Sequence, residues 1–113
     1  MKIIITESQT DKLIENILKS EGITYTMKYM GRTYGWSGAD KHYDHVIFRF
    51  YYPNGGEYER KISFVTNEDE ILKFAGSDFF SKGIDELKYI PSDVVTDYFV
   101  GIAKLFLERE LNT

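Results

Sequence analysis

The stretch His45-Val46-Ile47-Phe48-Arg49-Phe50-Tyr51-Tyr52-Pro53-Asn54-Gly55-Gly56, continued by EYERKISFVT to Thr66, decides how this 113-residue chain is read. Val46, Phe48, Phe50 and Tyr52 alternate with Ile47, Arg49 and Tyr51, the period of two that marks a half-buried strand. Pro53-Asn54-Gly55-Gly56 follows, and Asn and Gly accept the positive φ that a tight hairpin turn requires. Beyond it Tyr58, Ile62 and Phe64 alternate with Glu59, Lys61 and Ser63. Two antiparallel strands, about His45 to Tyr52 and Glu57 to Thr66, are the expectation.

Upstream the same period runs from Ile23 to Tyr29, with Ile23, Tyr25, Met27 and Tyr29 on one side and Thr24, Thr26 and Lys28 on the other. Before that, Thr6 with Gln9 three residues later matches a capping box. Leu13, Ile14, Ile17 and Leu18 then share a helical face, and Gly22 supplies a stop. Lys2 to Ile5 reads as a short strand or extended lead-in. Downstream, Asn67 followed by Glu68, Asp69 and Glu70 predicts a cap and acidic first turn of a short helix ending near Gly76. Ser77 to Tyr89 has no clear period beyond a helical turn around Asp85 to Lys88. Pro91-Ser92-Asp93 opens the strongest helix.

On that last helix Asp97, Gly101, Lys104 and Glu108 form a narrow polar stripe, and nearly everything else from Val94 to Leu107 is apolar. The apolar arc spans roughly 240°, well beyond the stripe a surface helix buries. Such a helix is either central to the domain or packs on two bodies; Val95, Phe99, Ile102 and Phe106 are the candidate self-association residues, and a homodimer would use them. The expected architecture is one α+β domain over residues 1–113, a three-stranded antiparallel meander with N-terminal and C-terminal helices packed on one face.

The chain has no cysteine, which excludes thiolate zinc sites, thiol catalysis and redox switching and fits a reducing compartment. Three apolar residues at the start are too few for a signal peptide, and Asp97 and Lys104 interrupt the longest apolar region, so a soluble, cytoplasmic protein with no membrane partner is expected. The net charge of −4 opposes broad capture of nucleic acid. After Thr66 there are five Lys/Arg against ten Asp/Glu, so the acidity belongs to the C-terminal part.

Gly31 to His45 (GRTYGWSGADKHYDH) holds the only tryptophan and both histidines. Asp40, His42, Asp44 and His45 offer imidazole and carboxylate ligands, but their spacing lacks three ligands in fixed geometry, and no metal is expected. Gly35-Trp36-Ser37-Gly38-Ala39 echoes a nucleophile elbow without its closing glycine or its parallel sheet. No phosphate loop, HExxH or dinucleotide fingerprint is present, and Asp69-Glu70 and Asp85-Glu86 read as solvated faces. The expectation is no catalytic residue, no cofactor and no enzyme. A connection of this length is longer than most in compact domains, and such loops are commonly functional. Arg32, Tyr34, Trp36 and Tyr43 are of types enriched at binding hot spots, and with His42 they form the candidate partner-binding set. A secondary candidate is a nucleic-acid face formed by Lys28, Arg49, Tyr51 and Lys61, where charge and stacking would combine on the outward side of the strands.

The opening MKIIITESQTDKLIENIL resembles the start of many small proteins encoded by tailed phages and prophages. In general character, short, acidic, cysteine-free and aromatic-rich, the chain also resembles the inhibitors that phages direct against bacterial defence nucleases, anti-CRISPR proteins among them. That resemblance implies a host protein complex, such as a CRISPR effector or another defence nuclease, as partner. It also implies stoichiometric action in the cytoplasm of the bacterial host. A virion structural or assembly protein is the alternative of the same origin.

Overall fold

The structure, a computed structural model, describes residues 7–34, 42–66, 72–80 and 84–111. Helix α1 covers Glu7–Ser20, strands β1 to β4 cover Thr24–Tyr34, His42–Tyr51, Glu57–Thr66 and Leu72–Ser77, and helix α2 covers Ser92–Leu111. Two 3-10 turns, Asp78–Phe80 and Asp85–Leu87, join the sheet to α2. Each strand pairs antiparallel with the next, giving a four-stranded meander in the order β1-β2-β3-β4. The fold is α+β with helices at both ends of the chain, as expected, but with one strand more. None of the helices among the described residues is long and apolar enough to cross a membrane.

Strand β4 corrects the reading of Asn67 to Gly76 as a helix. A helix that short is marginal on its own, whereas the free edge of β3 offers backbone partners to residues 72–77. Leu72 pairs with Thr66 and is buried, Phe74 pairs with Phe64 but stays partly exposed at the sheet edge, and the register shifts at Ala75 before Gly76 meets Ser63. Asn67 and the acids after it lie outside the described residues.

The other elements form where their periods place them. Helix α1 begins one residue after Thr6; that threonine and the expected Lys2–Ile5 strand lie outside the described residues. At its other end, Ile23 N–H donates to the Leu18 carbonyl at 2.8 Å and Gly22 N–H to the Lys19 carbonyl at 3.1 Å, with Gly22 at φ 70°, a Schellman stop. Its apolar closure is buried, Leu18 and Ile23 being 4 % and 5 % exposed. A Cβ on Gly22 would come within 2.8 Å of Pro53 Cγ, so the same glycine lets the β2–β3 turn close against the end of α1. That turn has Gly55 N–H on the Tyr52 carbonyl, Tyr52 N–H on the Gly56 carbonyl and Gly55 at φ 90°, a three-residue hairpin loop with a glycine bulge. The expected helical turn near Asp85 is the second 3-10 turn.

One layer of helices covers one face of the sheet. Val46, Phe48, Phe50, Ile62 and Phe64 point into it, and α2 inserts Val95, Phe99, Ala103 and Leu107 from the other side, all buried. Phe99 is the hub: it stacks on Phe79 at 4.8 Å and meets Phe48 and Phe50 edge-on, both at 5.4 Å. The first 3-10 turn delivers Phe79 to this position, its start fixed by Phe79 N–H donating to Ser77 Oγ. Of the two expectations for α2, central position holds for this stripe.

Polar ties join the layers. Tyr98 of α2 donates to Glu15 of α1 and is hydrogen-bonded to Tyr25 of β1, and Tyr52 donates to Glu86. Burial raises the Tyr98 hydroxyl far above its ordinary value, with Tyr25 and Glu15 adding to it; burial and then the Glu86 charge push Tyr52 up to about 12. Tyr25 and Tyr29 are raised as well, burial leading in both. Above pH 10 the unfolded chain releases these protons while the folded chain keeps them, so the unfolded state binds fewer protons and stability falls as pH rises. Urea midpoints are expected to hold through neutral pH and drop between pH 10 and 12, with Tyr98→Phe flattening the drop.

Candidate functional site

The GRTYGWSGADKHYDH stretch is less of a loop than its composition suggests. Strand β1 runs on to Tyr34 and β2 starts at His42, with Arg32, Thr33 and Tyr34 paired to Asp44, Tyr43 and His42. Arg32, Tyr34, His42 and Tyr43 of the candidate partner-binding set are therefore strand residues at one end of a hairpin, which corrects the expectation of a loop over 31–45. Trp36, Asp40 and the remainder of 35–41 lie outside the described residues, as does the side chain of Tyr34.

The strand extension depends on a bulge. Between Tyr29, opposite Val46, and Arg32, opposite Asp44, two residues face the single residue His45. Gly31 there has φ 98°, a conformation that glycine adopts without strain. The extra residue reverses the alternation of β1, so Arg32 arrives on the core face beside Tyr29, two positions that a period of two would have put on opposite sides.

Asp44 is the residue these two meet. It follows the parity of Val46, Phe48 and Phe50 and is fully buried. Tyr29 donates its hydroxyl hydrogen to Oδ1 at 2.6 Å, and the Arg32 guanidinium grips both carboxylate oxygens, Nε to Oδ1 at 3.1 Å and the terminal nitrogen to Oδ2 at 3.2 Å. A buried carboxylate needs such partners, because its desolvation is otherwise uncompensated. Burial and then the hydrogen bond to Asp44 raise the Tyr29 hydroxyl, which stays the donor. Arg32 is thus a structural clamp at the base of the hairpin, with 40 % of its side chain still exposed at the rim.

His45 points the other way. On the face away from the helices, one ring nitrogen lies 2.9 Å from Thr33 Oγ1 and the other 2.8 Å from Ser63 Oγ, a bridge across β1, β2 and β3. Desolvation first, and the Lys61 charge second, lower its pKa against the opposing pull of Asp44. Alternation places His42 and His45 on opposite faces, so a single ion cannot take both. Among the described residues no three ligating side chains converge on one point.

Lys28, Arg49, Tyr51 and Lys61 do share the face away from the helices. Lys28 pairs with Ile47 and Ile47 with Lys61, two exposed cations flanking one half-buried apolar side chain. Arg49, however, is neutralised by its cross-strand partner Glu59, with Nε donating to Oε1 at 3.0 Å. In the candidate self-association set, Val95 and Phe99 are buried in the core and face no partner, while Ile102 and Phe106 are half-buried. Reading the sequence missed Tyr29 and Asp44 as hairpin anchors, because the bulge at Gly31 hides their common side. No protein-family model matches this chain, and neither a curated protein nor a solved structure does.

Proposed function

We propose that this chain is a non-enzymatic, protein-binding inhibitor of a bacterial defence nuclease complex, of phage or prophage origin and acting in the host cytoplasm. The observation that carries the binding reading is the state of the groups with chemical potential. Asp44 is spent inside the hairpin on Tyr29 and Arg32, and both nitrogens of His45 are engaged by strand hydroxyls. These contacts hold the end of β1 against the start of β2, and the sequence between those two strands, residues 35–41, contains Trp36. A firmly held pair of strand ends lowers the ordering cost of association by residues anchored to it. The target class and the phage origin rest on the resemblance of MKIIITESQTDKLIENIL and on the general character of the chain. Tyr43, opposite Thr33 on the outward face of β2, is the second residue of that strand.

Affinity capture of the tagged chain from its native host, with mass spectrometry and RNA sequencing of what accompanies it, tests this reading. A defence nuclease subunit in stoichiometric amount is the expected result. Recovery of capsid proteins would select the virion reading instead. RNA alone, lost on neutralising Lys28 and Lys61 together, would select the nucleic-acid face.

A further inference from the structure

Helix α2 carries a second apolar stripe that the domain covers only in part: Val94, Tyr98 and Ile102 are half-buried and Leu105 is exposed. Val94, Tyr98, Ile102 and Leu105 line a groove of about 560 Å3 between α1 and α2, and Leu105 is 64 % exposed there. The exposed apolar area is small, so the case for a binding surface rests on the open groove itself and the charge at its rim.

Gly101 sits in the middle of that groove, and the fold gives no reason for it. A Cβ added there meets nothing within 4 Å, and its φ is not in the left-handed range that favours glycine. In a helix interior glycine is less favourable than alanine. What the missing side chain provides is a dent in the floor, one turn from Asp97 and Leu105, into which another molecule's side chain can descend.

The rim is acidic. Asp11 and Glu15 of α1 and Asp97 of α2 border the groove, and no lysine or arginine lines it among the described residues. Groove against groove in a symmetric pair would set these carboxylates on each other. Neither of this chain's helices supplies the opposite charge, α1 holding Lys12 and Lys19 against Glu7, Asp11 and Glu15, and α2 holding Lys104 and Arg109 against four acids. Shape and charge together fit a helix laid along the groove with apolar anchors below and lysines or arginines at its sides.

We propose that the α1–α2 groove binds a basic amphipathic helix of a partner protein, seated with one apolar side chain over Gly101. This surface lies on the helix layer, separate from the hairpin end and the outer sheet face, and does not depend on the inhibitor reading. The test uses fluorescence anisotropy with a synthetic amphipathic helix of leucine and lysine, and its leucine and glutamate counterpart, on the full chain. The Leu/Lys peptide is expected to bind and the Leu/Glu peptide not to. Gly101→Leu, which fills the dent with a good helix former, is expected to weaken binding by about tenfold or more, and Asp97→Asn with Asp11→Asn to weaken it severalfold. Gly101→Ala checks the fold and is expected to raise the thermal midpoint. Equal binding by Gly101→Leu would mean that the basic peptide is held by charge elsewhere, and would overturn the assignment. So would equal binding of both peptides, or concentration-dependent dimerisation abolished by Gly101→Leu, which would give the groove to a second copy. Peptide binding seen only after removal of residues 1–5 would give the groove to the chain's own start and would overturn the assignment as well.

Discussion

Replacing Phe99 by alanine is expected to cost the fold about 3–5 kcal/mol, the range for emptying a large aromatic from a packed core. The ring is fully buried and touches Tyr98 on its own helix and four aromatic rings from three other parts of the chain: Tyr25 of β1, Phe48 and Phe50 of β2, and Phe79 of the 3-10 turn. Edge-to-face and stacked pairs add to the area term, and the neighbours are rings that cannot reshape to fill the void. A domain of this size has about 5–15 kcal/mol in total, so this one change removes a large share of it. Urea denaturation of Phe99→Ala should show the midpoint falling by a third or more at nearly unchanged slope. Phe106→Ala, on the same helix but half-buried, should lose much less.

Arg32→Ala is expected to be the most damaging change of a partly exposed side chain, at about 2–3 kcal/mol. Breaking a buried ion pair by removing one partner leaves an uncompensated charge inside, which costs about 3–5 kcal/mol when both groups are buried. Here Asp44 is fully buried and Arg32 is 40 % exposed, so water screens part of the interaction and the lower figure applies. Arg49→Ala is the control. Its pair with Glu59 is about half exposed on both sides and should register below about 1 kcal/mol. Combining Arg32→Ala with Asp44→Asn removes the stranded charge and should recover part of the loss, a coupling that a double-mutant cycle measures. Equal effects of Arg32→Ala and Arg49→Ala would mean that the clamp at the hairpin base contributes little.

Much of the fold was legible because its local signals agree with its packing. The β2–β3 hairpin follows from alternation on either side of Pro-Asn-Gly-Gly, and α1 from its apolar face and Gly22. Strand β4 was not legible, because the acids after Asn67 mimic a helix start, and only the open edge of β3 decides the outcome. The hairpin end was misread for a different reason. One extra residue at Gly31 shifts the phase, so Arg32 and Asp44 look like loop polars when they are an ion pair with its carboxylate buried and its guanidinium at the rim. The breadth of the α2 arc was visible as composition, yet which stripe fills the core and which stays open depends on where the sheet lies. For the candidate site, the sequence read Arg32, Tyr34, His42 and Tyr43 as loop residues, whereas β1 and β2 carry them as paired strand residues. Arg32 holds the stem through Asp44, with part of its side chain exposed at the rim.

The proposed function requires that residues at the β1–β2 hairpin end, Trp36 among them, bind and silence a host nuclease complex. Titrating the captured complex with the wild-type chain and with Trp36→Ala, while following nuclease activity and the thermal midpoint of each chain, tests it most directly. The expected result is stoichiometric loss of activity with the wild type, none with Trp36→Ala, and closely similar thermal midpoints. A collapse in the stability of Trp36→Ala, placing that ring in the core, or full nuclease activity at an excess of the wild-type chain would contradict it.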